Sequence, residues 1–224
     1  MMKSQAGRFQ TIVAHPRLLE YWLFLPEQPL DGGGNKLPLL LFLHGASERG
    51  NDISQVLNSG LPYLLRHGLE VPFGVLAPQC PPETWWSDHL DVLDVLLKDV
   101  IDHLPVDASR VLASGSSMGG YGVWHLGVTF PQRFAGLSPV NGGGAYFYGF
   151  PERAQALRDV PIWAFHGEND PIVPLREAQV LADVLNAADG NIKLTIFPER
   201  GHDIWQDVYQ MPEWMDWVMA QRKA

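Results

Sequence analysis

Short, largely apolar runs at 39–43, 74–77, 111–114, 135–140, 162–165 and 193–197 alternate with longer segments of helical period. A strand with one solvated face alternates apolar and polar residues, whereas a strand covered on both faces is apolar throughout. Such runs, bounded by Gly or Pro and separated by helices, predict a mostly parallel, doubly wound sheet with helices on both sides. The helices fall at about 89–103, 118–130, 175–186 and 212–221, with shorter pieces after Ile53 and near Glu152. Ahead of them, β-rich stretches at 9–13 and 21–25 flank a turn around His15 and Pro16, which reads as an antiparallel hairpin, and a glycine-rich loop follows at 31–35.

No internal repeat is present. At 224 residues, 46% of them hydrophobic, the chain is expected to fold as one α/β domain spanning 1–224. The longest irregular connections, 79–87 and 141–150, are too short to form a large cap domain but suit the walls of a site. The net charge is -9, and Lys and Arg are scattered, so no basic stripe offers itself to phosphates and no nucleic acid partner is expected. The greasiest run, 37–43, is too short to span a bilayer, and residues 1–10 contain no apolar core of a signal peptide, so no membrane insertion is expected. A lone cysteine, Cys80, fits a reducing compartment, and the expected location is cytoplasmic. Nothing in the sequence sets an oligomeric state.

The strongest local signal is Gly115-Ser116-Ser117-Met118-Gly119-Gly120, lying between a strand-like and a helix-like segment. The G-x-S-x-G spacing suits a very sharp strand-to-helix turn, where a side chain beyond hydrogen at the flanking positions would collide with strand or helix. Such a turn lifts the Ser117 hydroxyl above the sheet edge at a helix N-terminus. Ser116 has the wrong spacing to the glycines and is read as part of the turn.

A serine hydroxyl needs an imidazole to take its proton and a carboxylate to orient that imidazole. In this kind of fold the order along the chain is Ser, then Asp or Glu, then His. Of eight histidines, His15, His44, His67, His89 and His103 precede Ser117, His125 lies in the following helix, and His166 precedes the acid loop. His202, on a loop after the strand at 193–197, is the expected base. In Gly167-Glu168-Asn169-Asp170-Pro171, Asp170 is the expected acid and Glu168 its rival. Acyl transfer passes through an oxyanion that needs prearranged donors. The backbone N–H of Met118 and that of Ala46, in the loop His44-Gly45-Ala46-Ser47-Glu48-Arg49-Gly50, are the expected pair.

Together these residues resemble small, lidless α/β-hydrolases of the phospholipase and carboxylesterase family, including members labelled predicted peptidases. The resemblance rests on the His44-Gly45 loop, Ala77-Pro78-Gln79, 115–120, Phe165-His166-Gly167 with Asp170, and Gly201-His202, and runs from about 37 to 217. It implies an α/β-hydrolase fold, the same triad of Ser117, Asp170 and His202, the same two oxyanion donors, and carboxylesterase activity without metal or organic cofactor. Many relatives carry a second glycine where this chain has Ser47.

Trp85 and Trp86, Tyr146, Phe147 and Tyr148, and Trp205 bring aromatics to the loops around this constellation; they either form an apolar acyl pocket or pin the loops to the core. Asn141, at a strand end, either binds substrate or caps a turn. The leading expectation is hydrolysis of small-molecule short to medium acyl esters, with aryl esters as a variant. Thioester or peptide cleavage uses the same parts. A noncatalytic binding protein on the same fold is the alternative of another class.

Overall fold

The computed structural model of the chain describes residues 2–12, 16–26, 36–147 and 149–223. The turn at 13–15, the glycine-rich loop at 31–35 and Tyr148 lie outside the described residues. The strands are β1 (Met2–Ile12), β2 (Pro16–Pro26), β3 (Leu37–Leu43), β4 (Gly74–Pro78), β5 (Val106–Ser116), β6 (Gly136–Val140), β7 (Ile162–Gly167) and β8 (Ile192–Phe197). They form one sheet in the order β1-β2-β4-β3-β5-β6-β7-β8. β1 pairs antiparallel with β2 and β2 antiparallel with β4; the remaining pairs are parallel. This is the mostly parallel sheet with an antiparallel N-terminal hairpin that the apolar runs predict.

The continuous apolar runs are explained by two cores. Leu39, Leu41 and Leu43 of β3 pack with α2 (Leu90–His103), α3 (Met118–Thr129) and α5 (Arg176–Ala187), while Leu40 and Phe42 pack on the opposite side with α1 (Gly60–Arg66), α6 (Trp205–Tyr209) and α7 (Pro212–Ala220). Successive residues of a strand point to opposite faces, so a strand between two helical layers must be apolar at every position. Burying each of these five side chains contributes roughly 1.5–3 kcal/mol. Polar groups inside the second core are paired: Trp214 Nε1 donates to Ser138 Oγ at 2.9 Å, and Ser114 Oγ, which donates to the Ser138 carbonyl at 2.6 Å, lies 3.0 Å from the Tyr209 hydroxyl.

β8 is the edge strand and is only partly covered, which is why Lys193 and Thr195 interrupt its run; Thr195 accepts from Trp163 Nε1 at 2.9 Å, and Lys193 Nζ lies 3.8 Å from the Trp163 ring centre. The short piece near Glu152 is α4 (Phe150–Arg153). Helix α6, five residues long, is too short to show a period and is not expected from sequence. No helix among the described residues is long and apolar enough to cross a membrane. Because β3 to β8 run parallel, their carboxyl ends share one edge of the sheet, and the loops carrying Ala46, Ser117, Asn141, Asp170 and His202 all leave from it.

Candidate active site

Ser117 occupies the turn between β5 and α3 with φ 58° and ψ -119°, a left-handed region that a non-glycine residue enters at a cost of about 1–3 kcal/mol. The fold holds it there: Ser117 N–H donates to the Val140 carbonyl at 2.9 Å, and Tyr121 N–H donates to the Ser117 carbonyl at 3.1 Å. A Cβ at position 119 would run into the Leu43 carbonyl, and one at 115 would stand 2.5 Å from the same oxygen. The two glycines therefore let α3 start directly against β3 and β5, as the motif requires.

His202 and Asp170 converge on this serine. His202 Nδ1 lies 2.7 Å from Asp170 Oδ2, and His202 Nε2 lies 2.8 Å from Ser117 Oγ. A carboxylate only accepts, so the proton sits on Nδ1 and the Nε2 lone pair faces the serine O–H. Asp170 Oδ1 accepts from the N–H groups of Ile172 and Val173, each at 2.9 Å, which fixes the carboxylate's plane. The rival acid Glu168 faces elsewhere, accepting from Glu199 N–H at 3.2 Å.

Two buried side chains brace these loops. His166 Nε2 donates to the Val173 carbonyl at 2.8 Å, and burial holds its ring below the usual imidazole range. Asn141, with φ 46°, accepts from Gly167 N–H at 3.2 Å and donates to the carbonyls of His202 and Gly201 at 2.5 and 3.4 Å. It ties the end of the acid's strand to the loop of the base.

The loop after β3 passes beside the nucleophile: a Cβ on Gly45 would stand 3.8 Å from Ser117 Cβ. Ala46 opens a short 3-10 helix, Ala46–Glu48, and Met118 opens α3. The first N–H groups of a helix have no partner within it, so both backbone N–H groups are free of intrahelical bonding. His44 underlies the loop, its Nδ1 donating to the Gly45 carbonyl at 2.6 Å and its Nε2 accepting from Cys80 N–H at 2.9 Å. Burial pushes this imidazole down to about 4. Ser47, at the position of the second glycine, donates to Glu48 Oε1 at 2.7 Å.

A cleft of about 330 Å³ opens over Ser117, lined by Ala46, Trp85, Met118, Tyr121, Tyr146, Phe147, Ile172 and Val173. Of the loop aromatics and Asn141 named as candidates for touching substrate, Trp85, Tyr146 and Phe147 line this cleft. Trp86 is buried, and its Nε1 donates to the His44 carbonyl at 3.0 Å, so it braces the oxyanion loop. Asn141 is buried and fully used as the tie just described. Trp205 faces away, donating to Asp203 Oδ1 at 2.9 Å and meeting Tyr63 edge-on at 5.7 Å. The polar groups of all three are thus engaged within the protein, Trp86 and Asn141 by backbone carbonyls and Trp205 by the Asp203 carboxylate.

Sequence reasoning passes over Tyr121, Ile172, Val173 and Glu177. Tyr121 stands four positions after Ser117, one helical turn on, which is a usable signal. Glu177 carries no such signal. It is buried in α5, accepts from Ala145 N–H at 2.9 Å, and faces the Tyr121 hydroxyl and the N–H groups of Gly144 and Tyr146; burial raises its pKa. It thereby anchors the wall loop that carries Tyr146 and Phe147.

The chain is similar to known hydrolases. A family model described as Phospholipase/Carboxylesterase matches residues 31–214. The chain is 29% identical over 163 residues to a poly(3-hydroxyoctanoate) depolymerase of Pseudomonas fluorescens, covering 61% of this chain and 58% of that protein. It is 27% identical over 112 residues to acyl-protein thioesterase 1 of Neurospora crassa, covering 49% of this chain and 45% of that protein. The chain thus spans about half the length of the curated relatives it matches. Among solved structures, a thermostable esterase superposes with a TM-score of 0.82 at 29% identity, over 98% of this chain and 63% of that one.

Proposed function

We propose that this chain, which belongs to the phospholipase/carboxylesterase family, is a serine carboxylesterase that hydrolyses short to medium acyl esters through an acyl intermediate on Ser117. Ser117 Oγ attacks the ester carbonyl while His202 Nε2 takes its proton, and Asp170 holds the resulting imidazolium. The oxyanion receives hydrogen bonds from the N–H groups of Ala46 and Met118, each worth about 3 kcal/mol. Collapse expels the alcohol, protonated by His202, and leaves the acyl group on Ser117. Water, deprotonated by His202, then attacks the acyl carbon, and the second collapse releases the carboxylic acid and restores the serine hydroxyl.

The observation that carries this reading is the unbroken chain of hydrogen bonds from Ser117 Oγ through His202 to Asp170, at 2.8 and 2.7 Å, under an open cleft. A cleft of about 330 Å³ supports a modest acyl group. A fluorophosphonate probe should label the protein stoichiometrically at Ser117, and Ser117→Ala should lose both labelling and p-nitrophenyl ester turnover. Absence of labelling in the wild type would instead favour a binding protein on the same fold, and persistence of turnover in the variant would remove Ser117 from the mechanism.

Thioester hydrolysis is the second reading, favoured by the likeness to the Neurospora thioesterase. Rates on a matched ester and thioester of the same acyl group separate the two.

A further inference from the structure

The cleft does not stop at the nucleophile. A second cavity of about 220 Å³ adjoins it and shares Trp85, Met118, Tyr121 and Phe147 with it. Its floor is one face of α3, because Met118, Tyr121, Gly122 and His125 stand at i, i+3, i+4 and i+7. At 1.5 Å per residue this floor is about 10 Å long. Trp85, Trp86, Ser87 and Phe147 complete its lining, so Trp86 reaches this cavity while bracing the oxyanion loop. Gly122 lets α3 pack directly against Trp86: a Cβ there would stand 2.7 Å from the Cβ of Trp86.

His125 closes the far end. Its ring meets Phe147 edge-on at 5.1 Å and lies tilted on Phe150 at 4.3 Å. Its Nε2 is buried and makes no hydrogen bond among the described residues. Native folds rarely retain a buried polar atom without a partner, and the chemistry at Ser117 makes no use of this one. Burial, with the Arg153 cation nearby, pushes the imidazole down to about 4, so the ring is neutral at ordinary pH.

We propose that this trough is a subsite for one arm of the ester, and that His125 selects arms ending in a hydroxyl. The proposal rests on the esterase reading above. A neutral imidazole nitrogen is a donor or an acceptor according to tautomer, and a hydroxyl is both, so the two pair in either state. A charged end group does not fit, since walls of Trp and Phe would strip its water without replacing it. Nε2 is shielded from solvent, so the bond forms with a turn of the ring about Cβ–Cγ, its broad second torsion.

The test compares the methyl esters of 3-phenylpropanoate and 3-(4-hydroxyphenyl)propanoate, which differ by one hydroxyl at the end of the arm. The wild type should prefer the hydroxylated ester by about fivefold in kcat/KM, the effect of one neutral hydrogen bond. In His125→Phe that ratio should fall to about one, and His125→Gln, which keeps a hydrogen-bonding group, should retain part of it. A ratio near one in the wild type, or an undiminished preference in His125→Phe, overturns the proposal. If neither of these esters nor a p-nitrophenyl ester is turned over, the esterase reading fails by itself. The subsite is then decided by calorimetric binding of the two free acids to the wild type and to His125→Phe, where the same preference and the same loss are expected.

Discussion

The two sides of the cleft are built to different tolerances. On the reacting side, Ser117, Asp170 and His202 are each held by backbone hydrogen bonds or by buried Asn141 and His166, and the oxyanion loop sits on buried His44. On the receiving side, Trp85, Tyr146, Phe147 and Ile172 are 51, 74, 48 and 67% exposed, and Glu177 anchors the loop of two of them from behind. Proton transfer is directional and fails when its atoms are misplaced by an ångström, whereas hydrophobic contact is non-directional and survives rearrangement. Under the proposed esterase reading, the difference suits one fixed reaction and a permissive choice of acyl group.

The contrast breaks most visibly at Asp170. Asp170→Asn should lower kcat roughly 10⁴-fold with little change in KM, as loss of the orienting carboxylate does in other triads. Glu168→Gln should leave steady-state turnover of p-nitrophenyl acetate close to wild type. If Glu168→Gln were the more damaging change, the acid on the reacting side would be misassigned.

Acidification probes the support beneath the oxyanion loop. The His44 ring is depressed in the fold to about 4, below the ordinary imidazole value near 6.5. The stability this contributes is present above pH 6.5 and is lost as pH falls through about 4, on the order of 3 kcal/mol in total. Urea unfolding between pH 7.5 and 4 should show a steeper loss in the wild type than in His44→Gln. Equal slopes would mean that this ring does not titrate with the fold.

Asn141→Ala should slow kcat by about 10²-fold while KM stays near wild type, because it lets the base's loop shift without touching substrate. A rise in KM with kcat intact would place Asn141 on the receiving side after all. The smallest effects belong to the rim: Tyr146→Ala and Ile172→Ala should each raise KM for p-nitrophenyl octanoate about two- to fivefold with kcat unchanged, since each offers only partial apolar burial. A collapse of kcat in either variant would erase the distinction between the two sides.

The strands at 74–77, 135–140 and 162–165 are legible because double-sided burial writes itself into the sequence as an unbroken apolar run, and the Ser117 turn is legible because its glycines have no sterically possible substitutes. Asp170 and His202, which the fold brings into hydrogen-bond range of one another and of Ser117, follow from chain order. The receiving side is not legible in this way. Trp86 and Trp205 look alike in sequence, as tryptophans on loops, yet the first braces the oxyanion loop through the His44 carbonyl and the second packs on Tyr63, neither facing the 330 Å³ cleft. Helix α6 and the anchoring by Glu177 depend on contacts between segments far apart in the chain, which no local pattern records.

The sequence alone determined the layered parallel sheet, the sharp turn at Ser117 and the order in which a hydroxyl, a carboxylate and an imidazole arrive at its edge, because each is enforced by local sterics or by the period of burial. Tertiary structure decided which tryptophan faces the cleft, that Asn141 ties loops together, and that Met118, Tyr121, Gly122 and His125 floor a trough. Those outcomes depend on which side chain finds a partner first among neighbours brought together only by folding, and that competition leaves no trace in residue order.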